Sequence, residues 1–187
     1  MEEKECPKPQ KALLVIDIQE DYTGITAKSP FPYKDSERLI TTVNKIIEDA
    51  SKKNMPIVYI RQEFDGFLGK IISRVVGHGT AIKGKPGTEL DKRITIMSNH
   101  FFSKPMPDAF SNPKLEAFLA EQQVKELYLV GLDAAGCVYH TAKGALKHGY
   151  NVSIFKDGIV LLNENKWDSL LNKFEQDSVT LISSNEF

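Results

Sequence analysis

The chain has 187 residues, 41% hydrophobic and 26% charged, which suits one domain near the usual ~150 residues and rules out a disordered or low-complexity protein. Its 24 Lys and Arg against 25 Asp and Glu leave a formal charge of -1, so no overall field draws it to nucleic acid or an anionic membrane. No apolar run reaches the ~20 residues that cross a bilayer, and the opening MEEKECPKPQK lacks the apolar centre of a signal peptide. The expectation is a cytoplasmic protein whose Cys6 and Cys137 stay reduced.

In chain order, KALLVIDI from Lys11 to Ile18 is a short, continuous, β-branched run, the pattern of a strand covered on both faces. From Ser36 to Lys53 the apolar residues Leu39, Ile40, Val43, Ile46, Ile47 and Ala50 recur at helical spacing, with Ser36 as the expected cap. PIVYI follows as a second buried strand, and strand, helix and strand with short joints make a βαβ unit of a parallel sheet. Between Gln62 and Arg93 comes a glycine-punctuated excursion, helical around Leu68 to Val76. Two readings of it stay open, a pocket wall and a flexible surface insertion.

The alternation then resumes: a helix at about 113–122, the strand LYLVG, a helix at about 136–148, the strand NVSIF, a polar helix around Trp167 to Phe174, and VTLIS. This predicts a single α/β domain over residues 1–187, three-layered and doubly wound, with a mostly parallel β-sheet and helices on both faces. Ligands of such sheets bind beyond the carboxyl ends of the strands. No Gly-rich phosphate loop follows Ile18, which argues against a nucleotide-binding protein of this architecture.

Three residues stand out on chemical grounds. Asp17 ends the most apolar strand, where a carboxylate loses hydration unless it is paired; it is either a reactive group or the cap of the next turn. Cys137 lies between LYLVG and the following helix, where free amide protons and peptide dipoles favour a thiolate; the alternative is a cysteine buried as a small hydrophobe. Lys104 precedes a proline, and alone would read as a solvated cation. Brought to the same sheet edge, it would hold the charges of Asp17 and Cys137 together and keep a thiolate populated near neutral pH. His140, three residues after Cys137, suggests a Cys-His pair by spacing, but a side chain one turn further on points away from the thiol, which favours a structural histidine.

The stretch Asp17-x-Gln19-x-Asp21-Tyr22, the pair Lys104-Pro105 with Ala109-Phe110 beyond it, and Gly131-Leu132-Asp133-Ala134-x-x-Cys137-Val138 followed by Thr141-Ala142 resemble the isochorismatase-like cysteine hydrolases over nearly the whole chain. The resemblance implies a triad of Asp17 as base, Lys104 as electrostatic anchor and Cys137 as nucleophile. It also implies an oxyanion hole formed by the backbone N–H groups of Asp133 and Cys137, with a cis peptide before Asp133. The implied substrate is a small amide, ureido or carbamoyl compound, hydrolysed at its C–N bond through a thioester, and the implied assembly is a homodimer or homotetramer.

Nicotinamidases of this family bind a metal through an Asp and two His, but the corresponding stretch here reads Arg61, Gln62, Glu63, Phe64, Asp65. The expectation is therefore a site without metal or cofactor. Gln19, Arg61, Gln62, Phe64 and Phe110 are candidate substrate-binding residues by position. The rival functions are a non-catalytic metabolite-binding relative and a nicotinamidase-like amidase.

Overall fold

A computed structural model describes residues 10–25, 27, 28 and 30–187; Cys6 lies outside them. Six strands, β1 (Lys11–Ile16), β2 (Ile57–Gln62), β3 (His100–Lys104), β4 (Glu126–Gly131), β5 (Asn151–Ile159) and β6 (Thr180–Ile182), form one sheet in the order β3-β2-β1-β4-β5-β6. Every neighbouring pair is parallel. The helices are a short α1 (Glu20–Thr23), α2 (Ser36–Lys52), α3 (Gly66–Val76), α4 (Pro113–Glu121), α5 (Tyr139–Lys147) and α6 (Trp167–Gln176). Among the described residues no helix is long and apolar enough to cross a membrane.

The two-residue period of β1 divides the core. Leu13 and Val15 face a cluster completed by Leu39, Val43, Ile46 and Ile47 of α2. Ala12, Leu14 and Ile16 face the other side, covered by Leu115 and Leu119 of α4, Ala142 and Ala145 of α5, and Leu170 and Phe174 of α6. Both faces of β1 are therefore dry, which is why it reads as an unbroken apolar run, and full burial of each such side chain stabilises the fold by about 1.5–3 kcal/mol. The doubly wound α/β architecture with helices on both faces is the one expected.

Local differences have local causes. β1 stops at Ile16, two residues early, because Asp17 takes a left-handed φ of 55°. The N-cap of α2 is Asp35, and Ser36 is the first helical residue. The helix expected at about 136–148 is divided into a π turn, Ala134–Val138, and α5, with Gly136 outside helical geometry. β3 was not anticipated as a strand: it lies at the sheet edge, and its first four residues are only partly covered.

The excursion after β2 contains α3 and then folds down onto α1. Glu20 N–H donates to Glu89 O, Asp91 N–H to Ile18 O, and Ala81 N–H to the Asp21 carboxylate at 2.7 Å. Buried Asp91 accepts from the Thr23 hydroxyl at 2.7 Å and from both Nε and Nη2 of Arg93. These bonds fasten the returning half of the excursion to residues 18–23, next to the carboxyl end of β1.

Candidate active site

The strand order reverses at β1, whose neighbours β2 and β4 lead away in opposite directions, and a crevice opens beyond the carboxyl ends at such a point. Asp17 follows β1, its N–H held by Ile60 O at 3.0 Å. Lys104 is the last residue of β3, in register with Gln62 at the end of β2. Cys137 sits in the π turn after β4. At Gly131, φ is 122° and an added Cβ would stand 2.0 Å from Ile16 O, so only glycine lets the end of β4 pass this close to β1.

The structure brings the three side chains together. Lys104 Nζ lies 2.9 Å from Asp17 Oδ2 and donates to Cys137 Sγ at 3.1 Å and to Gln62 Oε1 at 2.7 Å. Three donors thus meet three acceptors, and Lys104 and Asp17 are only 1% and 2% exposed. Asp17 Oδ1 is buried with no other hydrogen-bond donor on it among the described residues. That leaves a free carboxylate lone pair beside the thiol.

Burial pushes the Cys137 thiol up to about 12; the Asp17 charge and hydrogen bond add to the rise, and Lys104 opposes it. This corrects the expectation of a thiolate populated near neutral pH: desolvation of the sulfur and the adjacent carboxylate outweigh the ammonium. Burial would lower the Lys104 pKa, but the charges and hydrogen bonds of Asp17 and Cys137 hold it above the ordinary lysine value. The resting arrangement is a neutral thiol beside an ammonium ion.

The Leu132–Asp133 peptide is cis. The Asp133 carboxylate accepts from Ala135 N–H at 2.9 Å, the Tyr33 hydroxyl at 3.2 Å and Leu162 N–H at 2.7 Å, tying the turn that carries Cys137 to two other loops. Burial first, and the Asp133 charge second, push the Tyr33 hydroxyl far above the ordinary tyrosine value, so it stays a donor. Neither the Asp133 nor the Cys137 N–H bonds to another element among the described residues.

The remaining candidates divide. Gln62 touches Lys104 through Oε1, and its Nε2 is buried with no acceptor among the described residues. Arg61 pairs with Glu89 at 2.7 Å and with Glu63 at 3.7 Å. Phe64 packs under α3 against Gly69 and Gly77. Gln19 is wholly buried, donating to Gln62 O and Thr88 O and accepting from Gln62 N–H. Its amide braces the end of β2 against the excursion.

Phe110 stacks on His148 at 4.8 Å, and Ala109 N–H just before it donates to Thr141 Oγ1 at 3.1 Å, one helical turn beyond Cys137. His140 is exposed, with its ring against Tyr139. Tyr22 closes the first sequence motif, whereas nothing local marks Tyr33; burial pushes both hydroxyls above the ordinary tyrosine value. Among the described residues no three His, Cys, Asp or Glu side chains converge as metal ligands.

Comparison with known proteins places this geometry in context. The chain is 25% identical over 179 residues to YaaI of Bacillus subtilis, an uncharacterized isochorismatase family protein, covering 96% of each. It is 26% identical over 157 residues to an N-carbamoylsarcosine amidase of Arthrobacter sp, covering 79% of this chain and 58% of that one. The crystal structure of N-carbamoylsarcosine amidase from Thermoplasma acidophilum superposes with a TM-score of 0.81 at 22% identity, covering 96% and 99% of the two chains. The family model for the isochorismatase domain matches residues 11–186, and the chain therefore belongs to the isochorismatase family of hydrolases.

Proposed function

We propose that the protein is a cysteine hydrolase that cleaves the C–N bond of a small amide, ureido or carbamoyl compound through a thioester, without a metal. The observation that carries this reading is the single ammonium, Lys104 Nζ, bonded at once to a carboxylate at 2.9 Å and a thiol sulfur at 3.1 Å. A storage site or binding module has no need of a buried carboxylate, cation and nucleophile in mutual contact, whereas acyl transfer needs all three.

In this mechanism Asp17 Oδ1 takes the Cys137 proton as sulfur attacks the carbonyl carbon. Lys104 stays charged and stabilises both the carboxylate before transfer and the sulfur during it. The oxyanion of the tetrahedral intermediate is held by the N–H groups of Asp133 and Cys137. As the intermediate collapses, the C–N bond breaks and Asp17 passes its proton to the leaving nitrogen. Water then attacks the thioester, Asp17 accepts its proton, and the released sulfur recovers a proton from Asp17. A proton moves only when the nucleophile does, which suits a thiol pushed up to about 12.

Gln62, by orienting Lys104 and offering a free Nε2 donor, is assigned to the substrate side of the site; Arg61 and Phe64 border it. A cytoplasmic location and self-association belong to the same reading. The test is ammonia release from a panel of amides, ureides, carbamoyl amines and nicotinamide, with and without a chelator. Turnover that survives chelation and disappears in Cys137→Ala, with a thioester adduct found by intact mass on the wild type, supports the assignment. Full activity in Cys137→Ala, or activity lost to chelator and restored by zinc, overturns it.

A further inference from the structure

Asp133 supplies one of the two N–H groups assigned to the oxyanion, yet its side chain is a carboxylate. A negative charge beside a developing one opposes it, and a half-buried carboxylate forfeits hydration, so a small neutral residue would serve a plain turn better. This carboxylate is engaged at both oxygens. Oδ1 accepts from Ala135 N–H at 2.9 Å, and Oδ2 accepts from Leu162 N–H at 2.7 Å and from the Tyr33 hydroxyl at 3.2 Å. The main chain around it is pinned as well: Leu132 N–H donates to Ile16 O, Ala134 N–H donates to Val160 O, and Asp133 O accepts from Gly136 and Val138 N–H. The Asp133 N–H itself bonds to no other element among the described residues.

We infer that Tyr33 is a positioning residue for acyl transfer: its hydroxyl fixes the Asp133 carboxylate, and through it the direction of the Asp133 N–H. The inference rests on the hydrolase reading above. The N–H and the carboxylate share one Cα, so a side chain held at both oxygens limits how far the N–H can swing, and small misplacements of such groups are costly in rate. Tyr33 is suited to hold it. The residue is 5% exposed, belongs to the core cluster on the α2 face of the sheet and stacks on Phe31 at 5.6 Å, and its N–H donates to Tyr22 O at 3.1 Å. A phenylalanine would fill the same space, so the hydroxyl is the part of this side chain that the carboxylate uses.

Losing an oxyanion donor outright costs about 100- to 1,000-fold in rate, and losing the bond that aims one should cost less, about 10-fold. The loss belongs to steps that build charge on a carbonyl oxygen, which separates this role from general support of the thiol. Acylation of Cys137 by 4-nitrophenyl acetate is such a step. The S–C bond forms as Asp17 takes the thiol proton, the oxyanion collapses, the ester C–O bond breaks and 4-nitrophenolate leaves. Alkylation by iodoacetamide is not: sulfur displaces iodide at a methylene carbon, and no oxyanion forms.

The experiment compares the two rates on the full chain, each read at Cys137 by peptide mass. Tyr33→Phe should be acylated about 10-fold more slowly than the wild type and alkylated at the same rate within about twofold. In an Asp133→Ala background Tyr33→Phe should have no further effect, because the hydroxyl acts through the carboxylate. Equal acylation of wild type and Tyr33→Phe, an equal slowing of both reactions, or a further slowing in the Asp133→Ala background overturns the inference alone. A wild type that is alkylated but never acylated at Cys137 overturns the hydrolase reading with it. Should Tyr33→Phe fail to fold, Asp133→Asn reads the same bond from the other end. With Oδ1 kept on Ala135 N–H, its amide nitrogen would face Leu162 N–H donor to donor, so acylation should slow relative to alkylation. Were the carboxylate no more than a charge beside the oxyanion, removing it would speed acylation, and an unchanged or higher ratio overturns the inference.

Discussion

Replacing Asp17 with Asn tests the electrostatics of the site without requiring the substrate. Asp17 Oδ2 and Cys137 Sγ both touch Lys104 Nζ, at 2.9 and 3.1 Å, so they are at most about 6 Å apart. Across that distance, at an effective dielectric of about 20, two unit charges interact by about 3 kcal/mol, or two pK units. Removing the carboxylate charge should therefore bring the thiol down from about 12 toward 10. At pH 8 the thiolate fraction rises about 100-fold, and Lys104, left without its carboxylate, pairs with the sulfur. The assay is the rate of Cys137 alkylation by iodoacetamide, read by intact mass, alongside turnover. Asp17→Asn should alkylate faster and turn over far more slowly, since the base is gone. An unchanged or slower alkylation rate in a folded variant refutes the argument.

Lys104→Met should act in the opposite direction: removing the cation that opposes the rise of the thiol pKa slows alkylation, a contrast that general loosening of the site would not produce. Because it leaves the Asp17 carboxylate buried without a counter-ion, it should also cost about 3–5 kcal/mol of stability, read from urea unfolding. A second consequence concerns alkaline pH. The folded thiol keeps its proton up to about 12, whereas the ordinary thiol loses it near 9.0, so the native state binds the extra proton between those values. The stability contributed by Cys137 is thus fully present below pH 9.0 and falls as pH rises. By pH 10.0 the Cys137 contribution has fallen by about 1.4 kcal/mol; the tyrosines, whose ordinary value is 10.0, add their own loss in both proteins, so the wild type should lose about 1.4 kcal/mol more than Cys137→Ala. Cys137→Ala should lose none of that amount, and an equal loss in both proteins would assign the slope to other groups.

What could be read from the sequence was what leaves a local trace. A carboxylate ending an apolar strand is conspicuous because its hydration cost is evident from its neighbours, and a cysteine after a buried strand is conspicuous by position. Lys104 is neither, and only the register of β3 beside β2 carries it into the site. The braces were illegible because they join residues far apart in the chain: Gln19 reaches Thr88, and Asp133 reaches Tyr33 and Leu162. The stacking of Phe110 on His148 likewise joins residues far apart in the chain. The dipoles at a helix start and a nearby lysine argue for a low thiol pKa, whereas burial and Asp17, which dominate it, depend on tertiary packing.

The arrangement at the crevice depends on strand register more than on any loop. Ile16 is paired with Ile60 on one side and Gly131 on the other, and Gln62 is paired with Lys104. Successive residues of a strand point to opposite faces, so a slip of one residue between β2 and β3 would turn Lys104 away from both Asp17 and Cys137. Such a slip would also break the pairing of Lys104 with Gln62 at the ends of β3 and β2. The same hydrophobic pattern that selects the fold therefore sets the separations of the reactive atoms. Gly131 completes the constraint: any side chain there would collide with Ile16 O, forcing β4 away from β1 and carrying the Cys137 turn away from the Asp17 carboxylate.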